Sequence, residues 1–364
     1  MRDRNLNMLL ISEEELEQMG LSSNPQAVID DVKKALINHG SGATISEKVA
    51  LSPSRERAFQ TFGATEEMRR RYVNEDLDVK LSALNSINHN IGAVKLIGAN
   101  ALNRERGIPR AEALIVLYAV DTLRPTCIMR GTEVSAMRTG AYTAIVGEYL
   151  LPKPQGNVVG YIGSGKMAET SIICMDASIA DRIDEVRIYS RTPANREAFV
   201  ERMQPHTGMR LTAVDSVEDA VAGADYVITA TTALNPLVDD PMLKDNATVL
   251  LLGGDEVGPR FLGRCSERGI IFCDDWELVK HRNVQSLPLL YHRLLEGDTK
   301  DGVTLNDKKI LDLWQVLTGD FNPAERRYEC VHVNCVGLPD LDLEVAERMY
   351  KKAKAEGVGT YISL

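Results

Sequence analysis

Long apolar runs are missing from this chain. Stretches such as Val249–Leu252 and Ile115–Leu117 fall far short of the ~18–20 residues that span a bilayer, so no membrane segment is expected. Positive charge is also in short supply. Lys and Arg number 42 against 52 Asp and Glu, a formal charge of -10, which repels nucleic-acid backbones and anionic membranes unless a local basic patch intervenes. Cysteine is scattered: Cys127, Cys174, Cys265, Cys273, Cys330 and Cys335 include no CxxC pair and no framework of the kind that staples small secreted folds. Cys330, His332 and Cys335 are near one another, but strand alternation in YECVHVNCVG sends Cys335 to the face opposite the other two. With no second ligand pair at zinc spacing, buried reduced thiols and no metal are expected. The opening residues MRDRNLNMLLISEEELEQMG turn acidic after a short apolar stretch and lack a small-residue cleavage site, so a signal peptide is not expected. A cytoplasmic protein with a small-molecule partner is the reading that these absences leave.

What is present is enough apolar material for packed cores. The 364 residues are 44% hydrophobic, which excludes a disordered chain, and domains of ~100–200 residues make two the expectation. The first ~150 residues mix helices and strands. A helix is predicted in NPQAVIDDVKKALINHG, with Asn24 as cap, Pro25 at its first position and Gly40 at its end. Strands Ile91–Ala99 and Glu112–Val120 follow, the second turning at Asp121 and Pro125 into TCIMR as a hairpin. A long helix is predicted from about Thr132 to Leu150. The Pro- and Gly-containing LPKPQG after it is the best domain boundary. From there short apolar strands (NVVGYI, EVRIYS, ADYVITAT, ATVLLLGG, GIIFCDD) alternate with helical stretches, the pattern of βαβ crossovers and a doubly wound parallel sheet. The closing DLDLEVAERMYKKAKAEGVG reads as a helix that returns to the first domain. Residues 1–150 with 326–364 are thus expected to form one discontinuous domain, and 151–325 an inserted nucleotide domain.

The sharpest motif is Gly163-Ser164-Gly165-Lys166-Met167-Ala168, a GxGxxA sequence between an apolar strand and a helix. Gly163 permits the tight turn, Gly165 lets the backbone approach a pyrophosphate, and Ala168 lets helix and strand pack closely. The helix N-terminus attracts the anion. An ordinary βα turn needing two glycines is the plainer alternative. After the second strand the chain reads Ser190-Arg191-Thr192, with no acid for a ribose 2′-hydroxyl. Arg191 suits a 2′-phosphate, to which Ser190 and Thr192 can donate, so NADP(H) is favoured and NAD(H) is the alternative.

Three charged residues keep apolar company. Arg138 falls on the helix stripe of Val134, Met137, Ala141 and Ile145, where a guanidinium needs an anion: a substrate carboxylate, or Glu133 or Glu148. Lys95 shares a strand face with Ala93 and Ile97. Its position suits either a carboxylate ligand or, the reading the sequence favours, an edge-strand lysine that discourages aggregation. Asp255 ends the apolar run Val249–Gly254, at the carboxyl end of a parallel strand, where it could exchange protons with an amine or serve as a turn former.

Taken together, Val94-Lys95-Leu96, the Gly107-Ile108-Pro109 segment before ALIVLY, Ser135–Ala141 (SAMRTGA), GSGKMA, TATTALNPL (Thr229–Leu237), GGDEVGP and VNCVGLPDLDLEVA resemble the ornithine cyclodeaminase/μ-crystallin family over essentially the whole chain. The resemblance implies a Rossmann domain plus a discontinuous α+β substrate and dimerisation domain, and a homodimer. It implies that Arg138 and Lys95 hold a substrate carboxylate, with Lys95 close to the chemistry, and that Lys48 in ISEKVAL stands where cyclodeaminases usually have an arginine. Asp255 resembles the acid that handles the substrate amine. Thr229, Ala230, Thr231 and Gly253 fall where the family meets its cofactor. Ser190-Arg191-Thr192 looks like the NADP-using members, and the DDW and VLTGD stretches look closer to the branch handling N-(2-amino-2-carboxyethyl)-glutamate. The activity implied is hydride transfer at the Cα of an amino acid or imine, from or to a 2-oxo acid plus amine. Ornithine cyclisation to proline with recycled NAD is the alternative, and a non-catalytic NADPH binder the third reading.

Overall fold

In the computed structural model the described residues are 7–51, 57, 65–67, 70–71, 79–233, 235–282, 284–325 and 328–363. Residues 1–6 of the opening stretch, Leu234 of TATTALNPL and residues 326–327 at the expected domain edge lie outside them. Contacts divide the chain into two units: Met1–Ser23, Ser41–Ser135 and Leu338–Leu364 in one, Asn24–Gly40 and Ala136–Gly337 in the other. The expected edges near Leu151–Gly156 and at 325/326 therefore differ from the observed ones, for local reasons given below.

The first unit is a sheet backed by a helix. Strands β2 (Ile45–Leu51), β3 (Val79–Ile87), β4 (Ile91–Asn100), β5 (Ala111–Ala119) and β6 (Pro125–Arg130) form an antiparallel meander. β1 (Asn7–Ile11) pairs in parallel with β6, and β15 (Thr360–Ser363) completes the order β15-β1-β6-β5-β4-β3-β2. Short α1 (Glu13–Gln18) follows β1, its first turn closed by a reciprocal capping box between Ser12 and Glu15. The carboxy-terminal helix, α11 (Pro339–Glu356), packs across β2 to β5 and ends at Gly357, whose φ of 68° suits the left-handed cap. Leu341, Val345 and Met349 of α11 are buried, but so are Asp340, Asp342, Glu344 and Glu347, none more than 2% exposed. Buried acids need donors, and the sheet supplies them: Ser46 to Asp340 at 3.1 Å, Asn88 to Glu347 at 3.0 Å and Lys95 to Asp342 at 2.6 Å. Acids that the sequence assigns to the helix dipole thus also bind the sheet.

In the second unit every strand pair is parallel. β7 (Asn157–Ile162), β8 (Ile183–Tyr189) and β9 (Arg210–Ala213) run one way from the centre; β10 (Tyr226–Thr229) and β11 (Ala247–Leu251) start the other. The full order is β13-β12-β14-β11-β10-β7-β8-β9, with β12 (Ile270–Cys273), β13 (Leu311–Asp312) and β14 (Cys330–Asn334) on the far side. β14 inserts between β11 and β12, so Cys330–Asn334 belongs to this sheet, and the second unit runs on to Gly337 before the returning segment. Every residue of β10, β11 and β12 is buried, as expected when helices cover both faces of a parallel sheet. Those helices are α2 (Pro25–Gly40), α3 (Thr132–Leu150), α4 (Lys166–Ile179), α5 (Pro193–Met203), α6 (Val217–Val221), α7 (Pro259–Arg268), α8 (Trp276–Lys280), α9 (Ser286–Leu295) and α10 (Leu313–Leu317). From Ala136 onward α3 lies in this unit because it meets α4 closely: a side chain at Gly140 would collide with the Thr170 carbonyl. Helix α2 joins it by packing on α4 and α10. The fold is α/β: a Rossmann sheet plus a discontinuous α+β unit.

Candidate functional site

In the parallel sheet the strand order reverses between β7 and β10, and open α/β sheets bind ligands outside the carboxyl ends of the strands at such a point. The GxGxxA turn occupies this position. Gly163 has φ 135°, and a Cβ there would lie 2.7 Å from the Ala230 carbonyl, so only glycine lets the ends of β7 and β10 meet. Gly165 faces open space. It is the N-cap of α4 and offers no side-chain cap, leaving first-turn amides of the helix for an anion. Ala168 is 1% exposed, packed as the motif requires. Ser164 and Met167 are half-buried, and Lys166 is exposed, paired with Glu169 at 2.7 Å. A turn opened by Gly163 and Gly165 at an uncapped helix start fits a dinucleotide pyrophosphate.

Beside it, Ser190 is half-buried and Arg191 and Thr192 are exposed at the end of β8. Thr192 precedes α5 without capping it. Asp215, which follows β9, is engaged by buried Arg196, which also donates to the Ser190 carbonyl at 3.1 Å.

The loops after β10 and β11 form the other side of the reversal. Thr229 is fully buried; Ala230 and Thr231 are half-buried. Asp255 is half-buried, and burial holds its carboxyl above the usual carboxylate range despite opposing help from Ser286 and Arg293. Ser286 also accepts the Val257 amide at 2.9 Å, and Gln285 donates to the Gly253 carbonyl at 3.0 Å, so the start of α9 braces the Asp255 loop. A carboxyl poised above its ordinary value at the end of a parallel strand is suited to proton exchange.

Arg138, 7% exposed, extends from α3 against Gly337, whose φ of 76° and missing side chain leave room for the guanidinium. That loop is pinned by buried Asp274, which accepts from the Gly337 amide at 2.7 Å, the Val336 amide at 3.1 Å and Tyr142 Oη at 2.8 Å. Tyr142 is one helical turn beyond Arg138, so a single carboxylate fixes both the helix and the loop that flank the arginine. Of the two acids expected as internal partners of Arg138, Glu148 is taken by Lys33 and Ser178. Sequence reasoning missed Asp274 as a support, since only the fold brings residues 142, 274 and 337 together.

In the first unit, Lys95 is 2% exposed on β4, which lies between β3 and β5. The edge-strand reading is therefore wrong: the lysine lies inside the sheet because β2 and β3 extend it by two more strands. Its ammonium donates to Asp342 at 2.6 Å and Ser135 at 2.9 Å. Half-buried Lys48 pairs through Leu84 with Lys95 across the sheet, on the same face. Strand spacing sets the two Cα atoms roughly 10 Å apart. Among the described residues no three His, Cys, Asp or Glu side chains gather as a metal site. His332 is buried on β14, and burial drives its pKa down to about 3, so the ring is neutral. All six cysteines are free and buried.

The model of the ornithine cyclodeaminase/mu-crystallin family matches residues 29–357. The N-((2S)-2-amino-2-carboxyethyl)-L-glutamate dehydrogenase of Staphylococcus aureus is 24% identical over 366 residues, covering 99% of each chain. The Delta(1)-pyrroline-2-carboxylate reductase of Thermococcus litoralis, solved with NADH and L-proline, has a TM-score of 0.80 at 23% identity, over 97% of this chain and 99% of its own. An archaeal alanine dehydrogenase dimer with bound NAD has a TM-score of 0.78 at 21% identity, over 98% and 99%. With a match that runs from α2 to the end of α11, the chain belongs to the ornithine cyclodeaminase/mu-crystallin family.

Proposed function

We propose that this chain is an NADP(H)-dependent oxidoreductase that transfers hydride to or from the Cα of an amino acid or imine, joining a 2-oxo acid and an amine into a secondary or cyclic amine, or the reverse. The observation that carries the reading is an uncapped glycine turn after β7 on one side of the strand reversal, with Asp255 after β11 on the other, its carboxyl held above the ordinary range by burial. A nicotinamide dinucleotide supplies or takes up the hydride when bound. Gly163 to Ala168 would hold its pyrophosphate, Thr229, Ala230, Thr231 and Gly253 the opposite wall, and Ser190, Arg191 and Thr192 a 2′-phosphate. The exposed arginine and the absence of an acid in that turn favour NADP(H) over NAD(H).

Arg138 and Lys95, with Lys48, are the cations for the substrate carboxylate; Lys95 is held by its buried partners and Arg138 is flanked by the pinned Gly337 loop, which limits their freedom. Asp255 gives the nitrogen its proton as the C=N bond is reduced and takes it back in the other direction. The six free thiols accord with a cytoplasmic protein, and among the described residues no helix is long and apolar enough to cross a membrane.

A homodimer through the outer face of the seven-stranded sheet goes with this reading. Val49, Leu51, Leu81, Leu96 and Leu114 are each more than 40% exposed there, in cross-strand register from β2 to β5. An apolar sheet face of this kind marks an interface; a second copy is the occupant that fits, the archaeal alanine dehydrogenase of the same fold being a dimer. The test of the activity is NADPH oxidation against a matrix of 2-oxo acids and amines, repeated with NADH. Proline formed from ornithine with no net dinucleotide consumption would replace this reading with cyclodeamination.

A further inference from the structure

Glu256 is the residue beside the candidate acid, and nothing in the chemistry above uses it. It is fully buried, at 0% exposure. Asp255 is half-buried, whereas the side chain of Glu256 next to it is fully enclosed. The inward carboxyl crosses to the loop after β10. Its Oε1 accepts the Thr231 amide at 2.6 Å and the Thr231 hydroxyl at 2.5 Å. Its Oε2 lies where a side chain at Gly253 would stand. The Glu256 backbone carbonyl accepts the amides of Leu237 at 2.8 Å and Val238 at 3.1 Å, and Gly258 donates to the Val238 carbonyl at 2.7 Å. One residue thus fastens the loop of Thr229–Val238 to the loop of Gly253–Gly258 through both backbone and side chain.

A buried carboxyl is costly unless it does something a neutral side chain cannot. Burial raises the Glu256 carboxyl above its ordinary range while the Thr231 hydroxyl and amide hold it down. An apolar residue of similar size would fill the space without joining the loops. Gly253 has no room for a side chain because the carboxylate occupies it. The family resemblance assigns that glycine to the cofactor; its fit to Glu256 is a second reason for its identity.

We propose that Glu256 is a positioning residue that sets the cofactor-side loop at Thr231 and the direction of Asp255 as a single unit. The inference rests on the proposed dinucleotide site and names a device within it. With Glu256 in place, Thr231 and Asp255 cannot move independently, since the Thr231 amide is tied to the side chain of the residue next to Asp255. Glu256→Ala cuts the tie. Glu256→Gln keeps one acceptor oxygen for Thr231, and Thr231→Val keeps the shape of that side chain while removing its hydroxyl donor.

The test has two readouts on the full-length protein. Hydrogen exchange of a peptide covering Thr229–Ala233, measured without ligand, is expected to show Thr231 losing protection in Glu256→Ala and keeping most of it in Glu256→Gln. NADPH affinity, read by the fluorescence of the bound dinucleotide, is expected to weaken about tenfold in Glu256→Ala, by a lesser factor in Thr231→Val, and to stay within about threefold of wild type in Glu256→Gln. If Glu256→Ala fails to fold, the Thr231→Val and Glu256→Gln pair carries the comparison. Unchanged exchange and affinity in Glu256→Ala, or equal losses in Glu256→Gln and Glu256→Ala, would overturn the positioning role while leaving the dinucleotide site intact. Failure of the wild-type protein to bind NADPH or NADH would instead remove the dinucleotide site, and the inference with it.

Discussion

Asp255 carries its proton to higher pH than an ordinary aspartate, whose value is about 3.9, because burial disfavours the carboxylate. The sign of its effect depends on the direction of reaction. In the proposed reaction an amine forms only with the acid protonated, so turnover is expected to fall as pH rises through the raised value. When an amine is oxidised the carboxylate is required, and turnover rises over the same interval. For stability, a carboxyl raised in the folded state contributes below its unfolded value and loses that contribution as pH climbs through the folded one. Asp255→Asn should remove both kinetic limbs and lower turnover ~100-fold or more, with NADPH affinity retained; pH–rate profiles in the two directions check this. The glycine turn and Asp255 are legible in the sequence because each depends on a few neighbouring residues. Glu256, Asp274 and Tyr142 are not, because their roles come from partners 25, 63 and 132 positions away.

The tie between α11 and β4 rests on the Lys95–Asp342 pair, both residues 2% exposed. Removing one member of a buried pair leaves the other charge uncompensated, typically costing about 3–5 kcal/mol. Lys95→Met and Asp342→Leu should each lower the melting temperature sharply. The double variant should recover most of the loss, since an apolar pair of similar volume replaces the ions, yet stay inactive if Lys95 has its proposed role as a cation for the substrate. Melting curves and turnover for the three variants separate the two roles of Lys95. Several elements are readable from periodicity and punctuation: Pro25 and Gly40 bound α2, Thr132 and Leu150 bound α3, and the β5–β6 hairpin forms as patterned. The place of β14 between β11 and β12 is not readable, since strand order follows from crossovers rather than local pattern. The interior position of Lys95 depends on β3, which forms a hairpin with β4, and on β2, which pairs with β3 from the far side of a long intervening stretch.

At the scale of the whole molecule each unit has its own candidate residues: the unit of the parallel sheet holds the glycine turn, Asp255 and Arg138, and that of the antiparallel sheet holds Lys95, Lys48 and an exposed apolar face. Placing a charge on that face at Leu96, 44% exposed and between Ala83 and Leu114, should convert a dimer to monomers. Light scattering of Leu96→Glu against wild type reads the mass directly; a dimer that survives the substitution would move the interface elsewhere. The most direct test of the central claim is NADPH consumption by wild-type protein across a matrix of 2-oxo acids and amines, with Asp255→Asn alongside. Net consumption is expected for at least one pairing, faster with NADPH than with NADH, and its loss in Asp255→Asn. Consumption undiminished in Asp255→Asn, or none by wild type while ornithine is converted to proline, would contradict that claim.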